Sequence, residues 1–303
     1  RMPETFIVTK INKPKPEKIK YRDYENYSIR QYTKIDEKAI RGNLIGNNKY
    51  TIAINQKGEG VSKFGNIYIN RFKNTSDIKQ GIFIFIKDLE SNKIETFNQI
   101  NDEDNKVVMN FMPDKTEFEK KNNELEVKKS IIVSSNDPVE IRRLELKNIS
   151  NKEIILEITA YLEPVLSTKE QDYAHMAFNN LFLEYNYDKN DNEIIVNRRK
   201  REKNDKEIYL IAKMQTNIEK IGETEFEISK EKFIGRNNLD IPIAVKNSIP
   251  LSNKVGLVTE GIIALKNTIK IQPKSSGYVD FLLSVENNKE IAKKNIEKFK
   301  LTE

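Results

Sequence analysis

Ile154-Ile155-Leu156-Glu157-Ile158-Thr159-Ala160-Tyr161-Leu162-Glu163 decides the fold. Side chains of a strand point alternately to opposite faces, so Ile154, Leu156, Ile158, Ala160 and Leu162 form one wholly apolar face. Ile155, Glu157, Thr159, Tyr161 and Glu163 form a mixed one. Val279, Phe281, Leu283 and Val285 alternate in the same way with Tyr278, Asp280, Leu282 and Ser284. Shorter runs of period two lie at Tyr50–Asn55, Gly81–Lys87, Leu125–Val133, Val139–Lys147, Leu181–Tyr187, Ile208–Met214 and Asn267–Ile271. Turn-forming clusters separate them, among them Asn148-Ile149-Ser150-Asn151, Asp188-Lys189-Asn190-Asp191-Asn192 and Pro273-Lys274-Ser275-Ser276-Gly277. Many short strands without long intervening helices predict an all-β, antiparallel sandwich.

Two helices interrupt that pattern. Ser229 is placed to cap a short internal helix ending at Gly235, and Asn288–Lys300 carries helical spacing through Ile291, Asn295, Ile296 and Phe299. Residues 1–44 are charged and weakly periodic and read as an N-terminal arm, residues 45–287 as the β domain, and 288–303 as a C-terminal helix leading onward.

The 303 residues exceed the ~200–250 over which all-β sandwiches fold as one unit. Lys and Arg number 52 against 46 Asp and Glu, an excess that invites a nucleic-acid reading. Only 11 of the 52 are Arg, and Lys is interspersed with Glu as on a solvated surface, so neither a nucleic-acid partner nor a membrane contact is expected. The absence of Cys excludes disulfides, thiolate metal sites and cysteine nucleophiles, and fits a reducing, cytoplasmic location. Arg1-Met2-Pro3-Glu4 opens into charged sequence unlike a signal peptide, and no apolar run approaches the ~18 residues of a membrane helix. Asn74-Thr75-Ser76 and Asn148-Ile149-Ser150 match the glycosylation pattern, which carries no weight without a secretion signal.

The chemistry available is narrow. His175 is the only histidine, so no H-E-x-x-H zinc motif exists, and no G-x-S-x-G elbow is present. Gly58-Glu59-Gly60 lacks the length and the Lys of a phosphate-cradling loop. No cofactor or metal is expected. His175 lies in Asp172-Tyr173-Ala174-His175-Met176-Ala177-Phe178-Asn179-Asn180, where three roles are open to it: a hydrogen-bonded turn histidine, a sugar or interdomain contact, or a general acid/base. Asn197-Arg198-Arg199-Lys200-Arg201 reads as a solvated hairpin end or an anion patch. Arg236, after Phe233-Ile234-Gly235, either bonds helix carbonyls or faces a ligand.

Further segments carry a resemblance. Gly46-Asn47-Asn48-Lys49-Tyr50, Gly58-Glu59-Gly60-Val61-Ser62-Lys63-Phe64, Asn70-Arg71-Phe72 and Val139-Glu140-Ile141-Arg142-Arg143 fall in one order with Thr159-Ala160-Tyr161-Leu162-Glu163. Ala174-His175-Met176-Ala177-Phe178-Asn179-Asn180-Leu181-Phe182 and Phe233-Ile234-Gly235-Arg236 follow. Together they resemble the N-terminal β-supersandwich domain of the cellobiose phosphorylase and cyclic β-1,2-glucan synthase family, nearest to its cyclic glucan synthase and 1,2-β-oligoglucan phosphorylase branch. Phe64 and Phe72 stand where that family has Trp, and Met176 where it has Pro.

The resemblance implies a galactose mutarotase-like antiparallel supersandwich that is itself non-catalytic. It packs on a helical-barrel domain carrying the catalytic acid, in a parent glycosyltransferase or phosphorylase acting on β-glucans. That parent could be held at the inner membrane through other segments. The partners implied are that barrel, a β-glucan oligosaccharide and a second copy in a homodimer. Asp172, Tyr173, His175, Phe178, Asn179, Arg236 and Arg71 are the residues expected at the carbohydrate or interdomain contact. Two alternatives share the composition. An aldose mutarotase would need more histidines, and a carbohydrate-binding module would rely on Tyr and Phe alone, Trp being absent.

Overall fold

A computed structural model describes residues 20–24, 27–34, 40–72, 81–97, 107–200, 205–235 and 241–301. Ten strands form one sheet in the order Lys20–Tyr24, Tyr27–Tyr32, Val108–Phe111, Lys115–Lys121, Leu125–Val133, Val139–Asn148, Ser276–Glu286, Ile208–Thr216, Glu193–Arg198 and Leu183–Asp188. A five-stranded sheet runs Glu219–Ser229, Gly261–Ile271, Ile154–Leu162, Ile82–Asp88 and Ile94–Thr96. A second five-stranded sheet runs Pro164–Ser167, Ile67–Asn70, Gly60–Phe64, Tyr50–Asn55 and Gly42–Gly46. Neighbouring strands among the described residues pair antiparallel, as the alternation predicts. The strands Lys20–Tyr24 and Tyr27–Tyr32 lie within the stretch read as an arm and pair onto the edge of the ten-stranded sheet.

The apolar faces meet in one core between the large sheet and the two smaller ones. Ile154, Leu156, Ile158, Ala160 and Leu162 all enter it, as do Val279, Phe281, Leu283 and Val285. The mixed face of the deciding strand is covered as well. Helices α1 (Lys169–Ala174), α2 (Met176–Asn180), α3 (Lys230–Ile234), α4 (Ile243–Lys246) and α5 (Lys289–Glu297) supply the outer layers. Phe233 of α3 and Ala244 and Val245 of α4 pack with Phe83, Phe85, Tyr161 and Ile262 in a second cluster. Tyr161 stacks on Phe233 with centroids 5.2 Å apart. On this covered face Glu157 is neutralised by Lys266 at 3.6 Å and accepts from the Ser248 hydroxyl at 2.7 Å. α5 seals the outside of the large sheet through Ala292 and Ile296 against Ile195, Ile211 and Leu282. Ser229 and Asn288 cap α3 and α5 through their side chains, which satisfies backbone N–H groups left open at helix starts.

Some inward positions are charged. Glu140 is fully buried, and its Oε2 accepts from the Tyr50 hydroxyl at 2.7 Å and the Ser62 hydroxyl at 2.6 Å. Arg142 donates from Nε to Glu140 Oε1 at 2.6 Å and from Nη1 to the Ile82 carbonyl at 3.0 Å. One ion pair therefore touches all three sheets. Asn148 is also wholly buried, with its amide donated to the carbonyls of Lys152 and Ile271, so this glycosylation-type asparagine faces the interior. The tripeptide at Asn74 lies outside the described residues.

Lys129 shares the core with these groups, its Nζ 4.9 Å from the Phe97 ring centroid and 4.7 Å from that of Phe118. Burial, reinforced by the charge of Arg142, holds its ammonium well below the usual lysine range. The unfolded chain then binds more protons than the folded one, so stability rises with pH from that depressed value towards ~10.4. Replacing the cation with an apolar chain of similar volume removes the desolvation cost. Lys129→Met is expected to stabilise the fold at neutral pH and to flatten that rise below pH ~10. Urea unfolding at several pH values checks both.

Candidate functional site

The chain leaves the first small sheet at Glu163 and enters the second at Pro164. Ser167 ends that strand, and Thr168 caps α1 with a reciprocal bond to Gln171. His175 then separates α1 from α2 with φ −150° and ψ 74°. This break turns two very short helices across the end of the sandwich, beside Arg71, which follows the strand Ile67–Asn70.

Arg71 is 5% exposed and organises the site. Its Nε and Nη2 donate to the two carboxylate oxygens of Asp172 at 3.0 and 2.8 Å, its Nη1 to Glu163 Oε2 at 3.0 Å, and Nη2 also to Asn180 Oδ1 at 3.1 Å. The planar fork thus meets a bidentate carboxylate on α1, a carboxylate at a strand end and an amide on α2. Glu163 Oε1 accepts from Lys230 of α3 at 2.8 Å and from the Tyr161 hydroxyl at 2.8 Å. Asn179 donates to the Val165 carbonyl at 3.1 Å and to Asp172 at 3.3 Å, and accepts from Arg198. Burial alone would lower the Arg71 pKa, but the bonds and charges of Asp172 and Glu163 hold it above the usual value. Burial would raise that of Glu163, and the charges of Lys230 and Arg71 nevertheless hold it below the usual carboxylate range. Burial and the Glu163 charge push the Tyr161 hydroxyl well up.

The opposite side of the same helices is open. Tyr173 is 48% exposed and Phe178 45%, and His175 is exposed between them. The Tyr173 hydroxyl donates to the Phe72 carbonyl at 3.1 Å, and Phe178 meets Phe182 edge-on at 5.1 Å. A cleft of about 270 Å³ runs among Gln171, His175, Phe178, Asn179 and Arg198. Leu181, 58% exposed, extends the apolar surface.

The seven expected residues therefore divide. Arg71, Asp172 and Asn179 come together as a buried support, while Tyr173, His175 and Phe178 stand on the exposed side of the helices they fix. Arg236 lies outside the described residues, directly after Gly235, which ends α3. Glu163, Asn180, Tyr161 and Lys230 belong to the network without being among the seven expected residues, although Tyr161 and Glu163 fall in the family-like strand Thr159–Glu163 and Asn180 in the family-like stretch Ala174–Phe182. Both carboxylates are thus paired with cations, Asp172 with Arg71 and Glu163 with Arg71 and Lys230. Among the described residues no three acidic or histidine side chains are grouped to hold a metal, and no helix is long and apolar enough to cross a membrane.

The family described as glycosyl hydrolase 94, supersandwich domain, matches residues 25–302. The cyclic β-(1,2)-glucan synthase NdvB of Rhizobium meliloti (strain 1021) is 25% identical over 232 residues, which are 75% of this chain and 8% of that protein. The chain thus spans under a tenth of the curated relative it matches. A solved structure described as a kojibiose phosphorylase from the human microbiome has a TM-score of 0.46 and 11% identity over 84% of this chain and 32% of its own. A bacterial glucoamylase complexed with acarbose has a TM-score of 0.46 and 9% identity over 90% of this chain and 38% of its own.

Breaking the buried network has a defined cost. Arg71→Met strands the Asp172 carboxylate and weakens the hold on Glu163, for an expected loss of about 3–5 kcal/mol. Because its folded pKa is depressed, Glu163 contributes stability that is present above ~4.3 and lost as pH falls through the lower folded value. Lys230→Gln should shrink that acid-side loss. Urea unfolding of the three proteins between pH 7 and pH 3 measures it, and an unchanged slope in Lys230→Gln would remove Glu163 as its source.

Proposed function

We propose that this chain, which belongs to the glycosyl hydrolase 94 supersandwich family, is a non-catalytic N-terminal domain of a β-glucan-processing enzyme. It packs on a catalytic helical barrel and shapes one rim of the carbohydrate site. The observation that carries this reading is the two-sided construction of α1 and α2. One side is locked by Arg71, and the other offers Tyr173, Phe178 and Leu181 beside the polar groups of His175 and Gln171. Aromatic groups with a few polar neighbours, on a surface otherwise rich in Lys and Glu, suit a polar interdomain interface or a sugar rim. A rim that positions a substrate must not yield, and the bidentate clamp below it supplies the rigidity. Tyr173, His175 and Phe178 make the contact in this reading, Asp172, Asn179 and Arg71 hold them, and Arg236 belongs to the same rim. The name of the Rhizobium relative supports a β-1,2-glucan as the substrate of the parent enzyme.

The isolated chain should not epimerise fresh glucose in a polarimeter, nor release sugar phosphate from oligoglucans when phosphate is supplied. Turnover above background in either assay would end the non-catalytic reading. His175→Ala, at an exposed position, should shift the stability of the domain by no more than about 1 kcal/mol and lower the activity of the enzyme that contains it. A melt lowered by many degrees with unchanged kinetics would make His175 a purely structural residue.

A further inference from the structure

We propose that the loop tip Lys254–Leu257 is an apolar anchor that seats in a socket on the catalytic domain, completing the interface whose other half is the α1–α2 surface. This holds only if that surface has the role proposed for it. Leu257 is fully exposed and Val255 half-exposed. Single exposed apolar residues are ordinary on any protein, so the placement of these two matters more than their existence. Ten large apolar side chains are exposed among the described residues, and five of them, Tyr173, Phe178, Leu181, Val255 and Leu257, lie in two short stretches. Asn180 joins the two stretches, its Nδ2 donating to the Thr259 carbonyl at 3.4 Å. Following the chain through that bond puts the Cα atoms of Leu181 and Leu257 roughly 20 Å apart at most. A standard interface covers about 800 Å² of each partner, a patch ~30 Å across, so one interface takes in both.

The tip is held from both sides. Before it, the Leu251 N–H donates to Glu225 at 2.6 Å and the Ser252 N–H to Glu227 at 3.3 Å. The Asn253 N–H donates to the Phe226 carbonyl at 3.0 Å, and the Phe226 N–H returns a bond to Asn253 Oδ1 at 2.7 Å. After the tip, Val258 packs against the main core, and the Glu260 carbonyl accepts from the Lys230 N–H at 3.1 Å. The residues Lys254 to Leu257 are thus presented between fixed ends, and ends fixed in advance lower the ordering cost of a contact. Leu257 buries none of its side chain within the fold, so the domain gains nothing from it alone. Valine and leucine offer a sugar neither a hydrogen bond nor a ring face to stack on, and what they match is an apolar socket on a protein. The catalytic domain is that protein because the tip and the α1–α2 surface are one continuous patch.

The test compares amide hydrogen exchange in this chain alone with exchange in the complete enzyme that contains it. Amides from Lys254 to Val258 are expected to gain at least about tenfold in protection in the complete enzyme, together with those from Lys169 to Leu181. Leu257→Asp should leave the melting curve of the isolated chain unchanged and abolish the gain at Lys254 to Val258. Ile221→Asp, at an exposed apolar position outside the patch, should change neither. A gain at Lys169 to Leu181 with none at Lys254 to Val258 would overturn the anchor and leave the α1–α2 reading standing. A gain at Lys254 to Val258 alone would keep the contact of the tip and remove the role proposed for α1 and α2. Sedimentation of the isolated chain covers the other occupant: a dimer that Leu257→Asp dissolves would give the tip to a second copy and overturn the proposal.

Discussion

Arg71 stands where the layers of this protein end, and its guanidinium has to be neutralised there. A buried guanidinium is tolerated only with its donors matched, and the match is made by Asp172, Glu163 and Asn180, which lie on three different elements. Glu163 sits at the crossing from one small sheet to the other, and Asn180 just before the edge strand of the large sheet. Meeting the needs of one side chain therefore fixes how the sheet ends and the two short helices sit together. Helices of five and six residues have little stability of their own. They persist because their inner side chains satisfy this charge.

The Glu140–Arg142 pair works similarly in the deep core, between Tyr50 and Ser62 of one small sheet and the Ile82 carbonyl of the other. Hydrophobic burial drives the sandwich together but is non-directional. Paired charges with defined hydrogen bonds add direction, and they add a penalty for any arrangement that leaves one of them unmatched. Lys129 is the exception, a buried cation met by aromatic rings and not by a carboxylate among the described residues.

Much of the fold could be read from the sequence, because period-two alternation reports which residues share a strand face. Ile154 to Leu162 and Val279 to Val285 placed their apolar sets in the core as expected. The mixed faces were harder. Tyr161 and Leu282 looked like residues of a half-exposed face and are covered by α3 and α5, whose docking depends on long-range packing. Glu140, Arg142 and Lys129 point inward from strands whose alternation gives no sign that their partners await them. The candidate site was legible as a stretch, Asp172 to Asn180, but not as a division into support and surface. Arg71 lies 101 residues from Asp172 and 92 from Glu163, and no local pattern records a bond across that distance. α1 and α2 went unread for the same reason, being too short to show helical periodicity.

The central claim is that Arg71 holds the α1–α2 surface rigid, and amide hydrogen exchange in Arg71→Lys tests it most directly. Lysine keeps the charge but cannot make the bidentate bond to Asp172 or reach three partners at once. The account predicts that amides from Lys169 to Leu181 lose at least about tenfold of their protection while those of Ile154 to Leu162 keep theirs, because local opening is governed by the local network. Equal protection of the two segments in the variant and the wild type would contradict it, and would mean that the helices are held by something other than this guanidinium.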